Sequence, residues 1–242
     1  MSGRGILFAA VAVAVFPILL LCQSKPSQSS AQPGTPAGQQ PPEPLKKRLF
    51  GVIPNYRASP SLTEYQPLSV KDKFKIATQD SFDRGTILLS AAFAGLGQLT
   101  NASPSFGQGA AGYARYLGTS YADFVIGDYM TEAIYPSILH QDPRYFRRGT
   151  GSGWSRLGYA VGQIFWTHRD SGGTQFNYSE VLGNSTAVAI SNAYYPDNRS
   201  VSAAISRLST QLSIDAASNV LKEFYPDIEQ RIKKKHSARR TP

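Results

Sequence analysis

No stretch of this chain alternates apolar and polar side chains over a convincing length, whereas apolar residues recur at helical spacing through most of it. The missing two-residue period argues against sandwiches and barrels, and the reading is all-α: a single helical bundle. Ser69 followed by Asp72 is a capping-box pattern that opens a helix over 70–81. A second, very apolar helix covers 83–99 and could run on from the first. Residues 110–139 give a long third helix carrying Tyr116, Tyr121, Phe124 and Ile134, which Pro136 must kink or end. Further helices span about 153–167, 178–194 and 200–223, with Asp197 and Ser200 as caps. Pro226 fits the first turn of a last helix over 225–236. The nearest strand candidate is Gln175–Tyr178. From residue 45 to the first helix, Gly51, Pro54, Pro60 and Pro67 forbid a long helix, so Leu49, Phe50 and Ile53 read as an irregular strap laid over the bundle.

The N-terminus sets the compartment. Residues 1–24 pair one cation, Arg4, with an uncharged apolar run from Ile6 to Leu21 and small residues at Ser24 or Ala31, which is the pattern of a signal peptide. The competing reading is an uncleaved anchor, but the run is shorter than the roughly 20 residues a membrane span needs, and Pro17 interrupts it. Cys22 is the only cysteine. Leu-Leu-Leu-Cys resembles a lipobox, in which the thiol is acylated, although Leu21 stands where a small residue belongs; otherwise Cys22 leaves with the signal. Either way the mature domain has no cysteine, which excludes disulfides and Cys-ligated zinc. Residues 25–44 hold six prolines and no large apolar residue, and read as a disordered spacer. The sequence therefore describes a secreted, periplasmic or envelope-associated protein with a helical domain over 45–230.

Charge is concentrated rather than spread. The formal net charge is +9, yet residues 45–230 carry 17 basic and 15 acidic side chains, while the tail 231–242 has six Lys or Arg and no acid. A basic terminus is usually a solvated end; the sharper reading is attraction to a membrane surface or an anionic envelope polymer. Nucleic acid is a poor partner, because no base-reading motif is present. The helices are also rich in small residues, and Gly158-xxx-Gly162 has the spacing of a close helix–helix face. Mid-helix acids Asp123, Asp128 and Glu132 favour a water-soluble bundle over an embedded one.

The chemical vocabulary is densest over 123–170. Asp128 and Glu132 are i,i+4 on one helix face, and His140 and Asp142 follow just past the helix end. Three carboxylates and an imidazole are the parts of an acid/base pair or a divalent-metal site. The pattern falls short of a metal signature, so no metal and no cofactor is assigned. The competing reading is structural: Asp142 before Pro143 as a helix N-cap, with the acids paired to Arg144, Arg147 or Arg148. Those arginines beside Gly149–Gly153 could also hold an anion, although no strand precedes the turn and no Walker pattern exists. Ser155, Arg156, His168 and Asp170 have the letters of a helical acid phosphatase without its spacings. Asp170 and the residues before it read more simply as a helix C-terminus.

The chain resembles a family of uncharacterised exported bacterial proteins. The shared segments are a Gly-Val-Ile-Pro-Asn-Tyr strap, here Gly51–Tyr56, and a His-Gln-Asp-Pro-Arg-Tyr-Phe-Arg-Arg segment, here His140–Arg148. Blocks at Asp170–Gly173 and Ser191–Pro196 fit the same resemblance, which covers roughly 45–225 and implies no activity. The expectation is a non-enzymatic structural or interaction protein of the envelope. The alternative is a hydrolase or an anion- or phosphate-binding protein, which requires the side chains of 128–148 to converge in one cleft.

Overall fold

The computed structural model describes residues 47–51, 53–59 and 65–238. The signal segment, Cys22, the linker and residues 239–242 lie outside them. The fold is mostly helical, at 65% helix, but it is not purely all-α, because three small sheets of two or three strands stitch the helices together.

Six helices carry the domain: α1 (Val70–Ser81), α2 (Arg84–Leu99), α3 (Gly109–Asp128), α4 (Gly153–Gly162), α5 (Tyr178–Ser191) and α6 (Val201–Ala238). Ser69 caps α1, as its spacing to Asp72 predicts. The chain then breaks at Phe82, and Asp83 caps α2 by accepting from Gly85 N at 2.7 Å. After α3 the helix widens into a π-helical segment, Tyr129–Ile134, and closes with one turn, Tyr135–Ile138, that includes Pro136. Such a widening rotates later side chains relative to earlier ones and is common at functional sites. Here it buries Thr131, Glu132 and Ala133. Glycine makes the fit on the facing helix: a Cβ at Gly183 of α5 would stand 2.8 Å from Thr131 Cγ2.

The strands are short. β1 (Arg48–Leu49) and β2 (Ile53–Pro54) form a hairpin; β3 (Ala58–Ser59) runs parallel to β5 (Tyr145–Phe146); β4 (Gln141–Asp142), β6 (Trp166–Arg169) and β7 (Thr174–Phe176) form an antiparallel trio. The N-terminal strap is thus pinned at both ends. Arg48 Nε meets Asp83 at 2.7 Å and Tyr56 Oη donates to the same carboxylate at 3.0 Å, so the cap of α2 is also the strap's anchor.

Three expectations need correction. The helix beginning at Gly153 stops at Gly162 rather than 167, because Trp166–Arg169 pairs with Thr174–Phe176. Gly172 and Gly173, at φ of 91° and 78°, supply the left-handed turn that this hairpin needs. Second, Asp142 caps no helix: it lies on β4 opposite His168, with its carboxylate accepting from Arg144 N at 2.9 Å. Third, Pro226 opens no new helix. It sits inside α6, which runs unbroken to Ala238 and absorbs residues 231–238 of the basic tail. An internal proline costs about 3 kcal/mol. The cost is offset because α6 packs against α4 here, with Val220 and Phe224 buried against Tyr145 and Ala160. The expected Gly158–Gly162 contact is absent too; a Cβ at either would meet nothing within 4 Å.

Candidate functional site

A group of charged side chains is buried where α1, the π segment, α5 and α6 meet. The strap contributes Arg57, α1 contributes Asp80, α3 ends on Asp128, the π segment adds Glu132, α5 adds Glu180, and α6 adds Asp215 and Lys222. Arg57 is central. Its terminal nitrogens lie 3.4 Å from Glu132 Oε1 and 3.5 Å from Glu180 Oε2, and its Nε donates to Pro143 O at 3.0 Å. Glu132, Glu180 and Lys222 are 2%, 3% and 7% exposed, so water cannot dissipate this charge.

Protons balance the surplus of carboxylates. Burial, and then the nearby Asp80 charge, push Glu132 well above the ordinary carboxylate range. Asp80 Oδ1 and Glu132 Oε2 both lack a donor when both groups are written as ions. A proton on Glu132, donated to Asp80, satisfies both oxygens at once. Glu180 behaves in the same way toward Asp215: burial first, then the Asp215 charge, raise it to about 8. Asp128 is raised by burial and by Asp80. Lys222 is lowered by burial and by Arg57.

Part of this cluster forms one wall of a cleft of about 560 Å³ between α2, α3, α5 and α6. Arg57, Asp128, Asn184 and Asp215 line its polar side, and Phe93, Phe124, Tyr195 and Ile214 its apolar side. That volume suits a small organic molecule. The polar groups of the wall are not equally available. Arg57 is held as above. Arg207 donates to Ser191 Oγ at 2.9 Å and to Asn198 O at 3.1 Å, and stacks 4.3 Å from the Tyr195 ring centre. Asp123 accepts from Tyr194 and Tyr195 at 2.5 and 2.8 Å. Gln211 Oε1, by contrast, is buried without a donor, and Asp128 accepts only from Ser81 at 3.1 Å. The cleft's cations are therefore engaged, while acceptors remain.

The residues singled out in the sequence divide among three places. Asp128 and Glu132 fall in the buried cluster. His140 is exposed, at φ 52°, and its backbone carbonyl accepts from Asp170 N at 3.0 Å. Asp142 is buried and held bidentate by Arg144, whose guanidinium also lies 5.1 Å from the Phe146 ring centre. Arg147 grips Asp227 at 2.7 Å, and the backbone N–H of Arg148 donates to Glu223 at 3.0 Å while its guanidinium lies over Tyr159. The three arginines hold the protein's own groups, and the side chains of 128–148 do not converge in one cleft. Among the described residues no three His, Cys, Asp or Glu are placed to hold a metal ion, and no helix is long and apolar enough to cross a membrane. Sequence reasoning missed Arg57, Asp80, Glu180, Asp215 and Lys222. Only their positions in helices otherwise poor in charge signalled them.

No protein-family model matches this chain, and neither a curated protein nor a solved structure does. The argument therefore rests on the residues themselves.

Proposed function

We propose that the chain is an exported, non-enzymatic binding protein of the cell envelope. A signal peptide over 1–24 and a disordered linker over 25–44 present a single helical domain, and the cleft between α2, α3, α5 and α6 takes a small organic ligand that carries an ammonium or several N–H donors on an apolar body. One observation carries the reading: a cleft of ligand size whose two arginines are already engaged, while Gln211 Oε1 and Asp128 keep acceptor capacity. Such a lining rewards a donor-bearing ligand and gives an anion little beyond what the arginines already have. Phe93, Phe124 and Tyr195 suit the apolar part, and aromatic faces also attract a cation. Anion or phosphoester chemistry over 128–148 has less support, because Arg144 and Arg147 are paired with Asp142 and Asp227.

The test compares matched pairs of ligands, phenethylamine against phenylacetate and longer homologues of each, by thermal shift and titration calorimetry. The amines are expected to raise the melting temperature in a concentration-dependent way, as mass action requires. Gln211→Met should weaken that response by about tenfold, the value of one hydrogen bond to a charged donor. Carboxylates binding as well as amines, or turnover of a phosphoester, would defeat the proposal.

A further inference from the structure

A second surface carries an inference that does not depend on the cleft. The chain has two tryptophans, and both lie outward on one side of the molecule: Trp154 is 68% exposed and Trp166 55%. On α4, Trp154, Gly158 and Val161 occupy the outward stripe at i, i+4 and i+7, and Phe165 continues it just past the helix. The hairpin extends the patch, since the Phe176 ring lies 6.4 Å from Phe165, 6.3 Å from Trp166 and 5.1 Å from Tyr178. A contiguous exposed aromatic face of this kind is uncommon on a protein that needs no partner.

The charge around it has one sign. From Pro143 to Ser179 the only acid is Asp170, and Lys73 holds it at 2.6 Å. Arg148 and Arg169 are exposed in the same span. The basic end of α6 lies alongside. Arg156, two residues after Trp154, grips Asp227 at 2.6 Å, and Arg231 follows Asp227 by one helical turn. Lys233 and Lys235 are exposed beyond it. Lys233 pairs with Glu229 at 2.9 Å, an exposed contact worth little.

We infer that this face docks on an anionic lipid surface. The tryptophans, Tyr178, Phe165 and Val161 seat in the boundary between headgroups and acyl chains, where amphipathic rings are favoured. The exposed arginines and the basic end of α6 meet the headgroup charge. Neither contribution is large alone, and together they give reversible, salt-sensitive attachment.

The two tryptophans make the test direct. Emission of the full-length chain is titrated with phosphatidylcholine vesicles and with vesicles that also contain phosphatidylserine, each with and without brominated acyl chains. A blue shift and quenching are expected with the anionic vesicles, at an affinity at least about tenfold above that for the zwitterionic ones, and lost in high salt. Val161→Glu, at an exposed position, should lower that affinity about tenfold or more with the helical circular-dichroism signal unchanged. Lys233→Glu with Lys235→Glu, in the solvated last turns of α6, should do the same and supplies a second variant. Sedimentation with vesicles without any change in emission would assign binding to the apolar run at Ile6–Leu21 and overturn the inference. An equal response to duplex oligonucleotide would overturn it as well. So would emission already blue-shifted in buffer and deaf to vesicles, which would mean that the chain covers this face itself.

Discussion

Arg156 and Glu223 form the tightest junction between α4 and α6: Nε meets Oε1 at 2.7 Å, with the carboxylate fully buried. Tyr145 donates to the other oxygen at 2.7 Å, and the backbone N–H groups of Arg148 and Gly149 complete its shell. Arg156 also reaches Asp227, and its guanidinium stacks 4.5 Å from the Phe224 ring centre. Removing one member of a buried, hydrogen-bonded ion pair costs about 3–5 kcal/mol, because the other charge is left uncompensated. Glu223→Ala and Arg156→Ala are each expected to lower the urea midpoint by a matching amount, and the double variant to lose clearly less than the sum. Additive losses in the double-mutant cycle would mean that the two side chains do not act as a unit.

The protons in the buried cluster give stability an acid-side optimum. Glu180 titrates near 8 in the folded protein and in the ordinary carboxylate range when unfolded, so between these values the folded state holds a proton that the unfolded state has lost. Stability from this group is fully present below the unfolded pKa and is lost as pH rises toward about 8. Glu132 and Asp128, raised by burial, act in the same direction. His168, lowered by burial, opposes them weakly: it stays neutral when folded and protonates when unfolded below about pH 6.5. In more acid solution the sign reverses. Burial works against the charge on Asp83 and Glu223, but hydrogen bonds from Arg48 to Asp83, and from Tyr145 and Arg156 to Glu223, outweigh it and hold both pKa values below the ordinary range. Their stabilisation is lost as pH falls through those lowered values. The melting temperature is therefore expected to peak around pH 5 to 6 and to decline toward pH 8.5, by calorimetry at constant ionic strength. A plateau or a rise over that range would exclude proton sharing in the cluster.

Two glycines that look alike in the sequence should respond oppositely to alanine. At Gly183 the new methyl would press on the π segment, 2.8 Å from Thr131 Cγ2 and 3.1 Å from the backbone of Met130 and Thr131, and backbone does not yield cheaply. Gly183→Ala is expected to destabilise by about 1–3 kcal/mol. Gly158 faces solvent with nothing within 4 Å of its added Cβ. Gly158→Ala should stabilise by about 0.5–1 kcal/mol, the ordinary helix-propensity difference. Denaturant melts of the two variants side by side check the pair.

The helices were legible because their signals are local. Ser69 and Asp72 announce α1, and Ser200 caps α6 by accepting from Ala203 N, as expected. The hairpin of β6 and β7 was not legible, since Trp166–Arg169 is four residues long and follows a helical pattern without a break, so only its pairing with Thr174–Phe176 tells strand from helix. Pro226 misled for a related reason: a local rule ends a helix there, and packing against Tyr145 and Ala160 continues it. The site was half visible. Asp128 and Glu132 share a helix face in the sequence, but their partner Arg57 stands more than seventy residues earlier, in a strap that gives no periodic signal. Long-range juxtaposition of this kind has no signature in a single chain. The arginines at 144, 147 and 148 attracted attention by clustering, although α6 supplies acids to two of the three, Arg147 and Arg148.

Helix α6 has 38 residues, about 57 Å of continuous rod at the usual rise. Its first turns wall the cleft, Lys222 enters the buried cluster, Glu223 and Asp227 close the junction with α4, and its last turns carry the exposed lysines. These features share one cooperative unit. Melting the rod anywhere along its length would dissolve the ligand wall and unseat the lysines in the same event. Occupancy at one end and attachment at the other are then reciprocal: whatever stiffens the wall favours attachment, and attachment favours occupancy by the same factor.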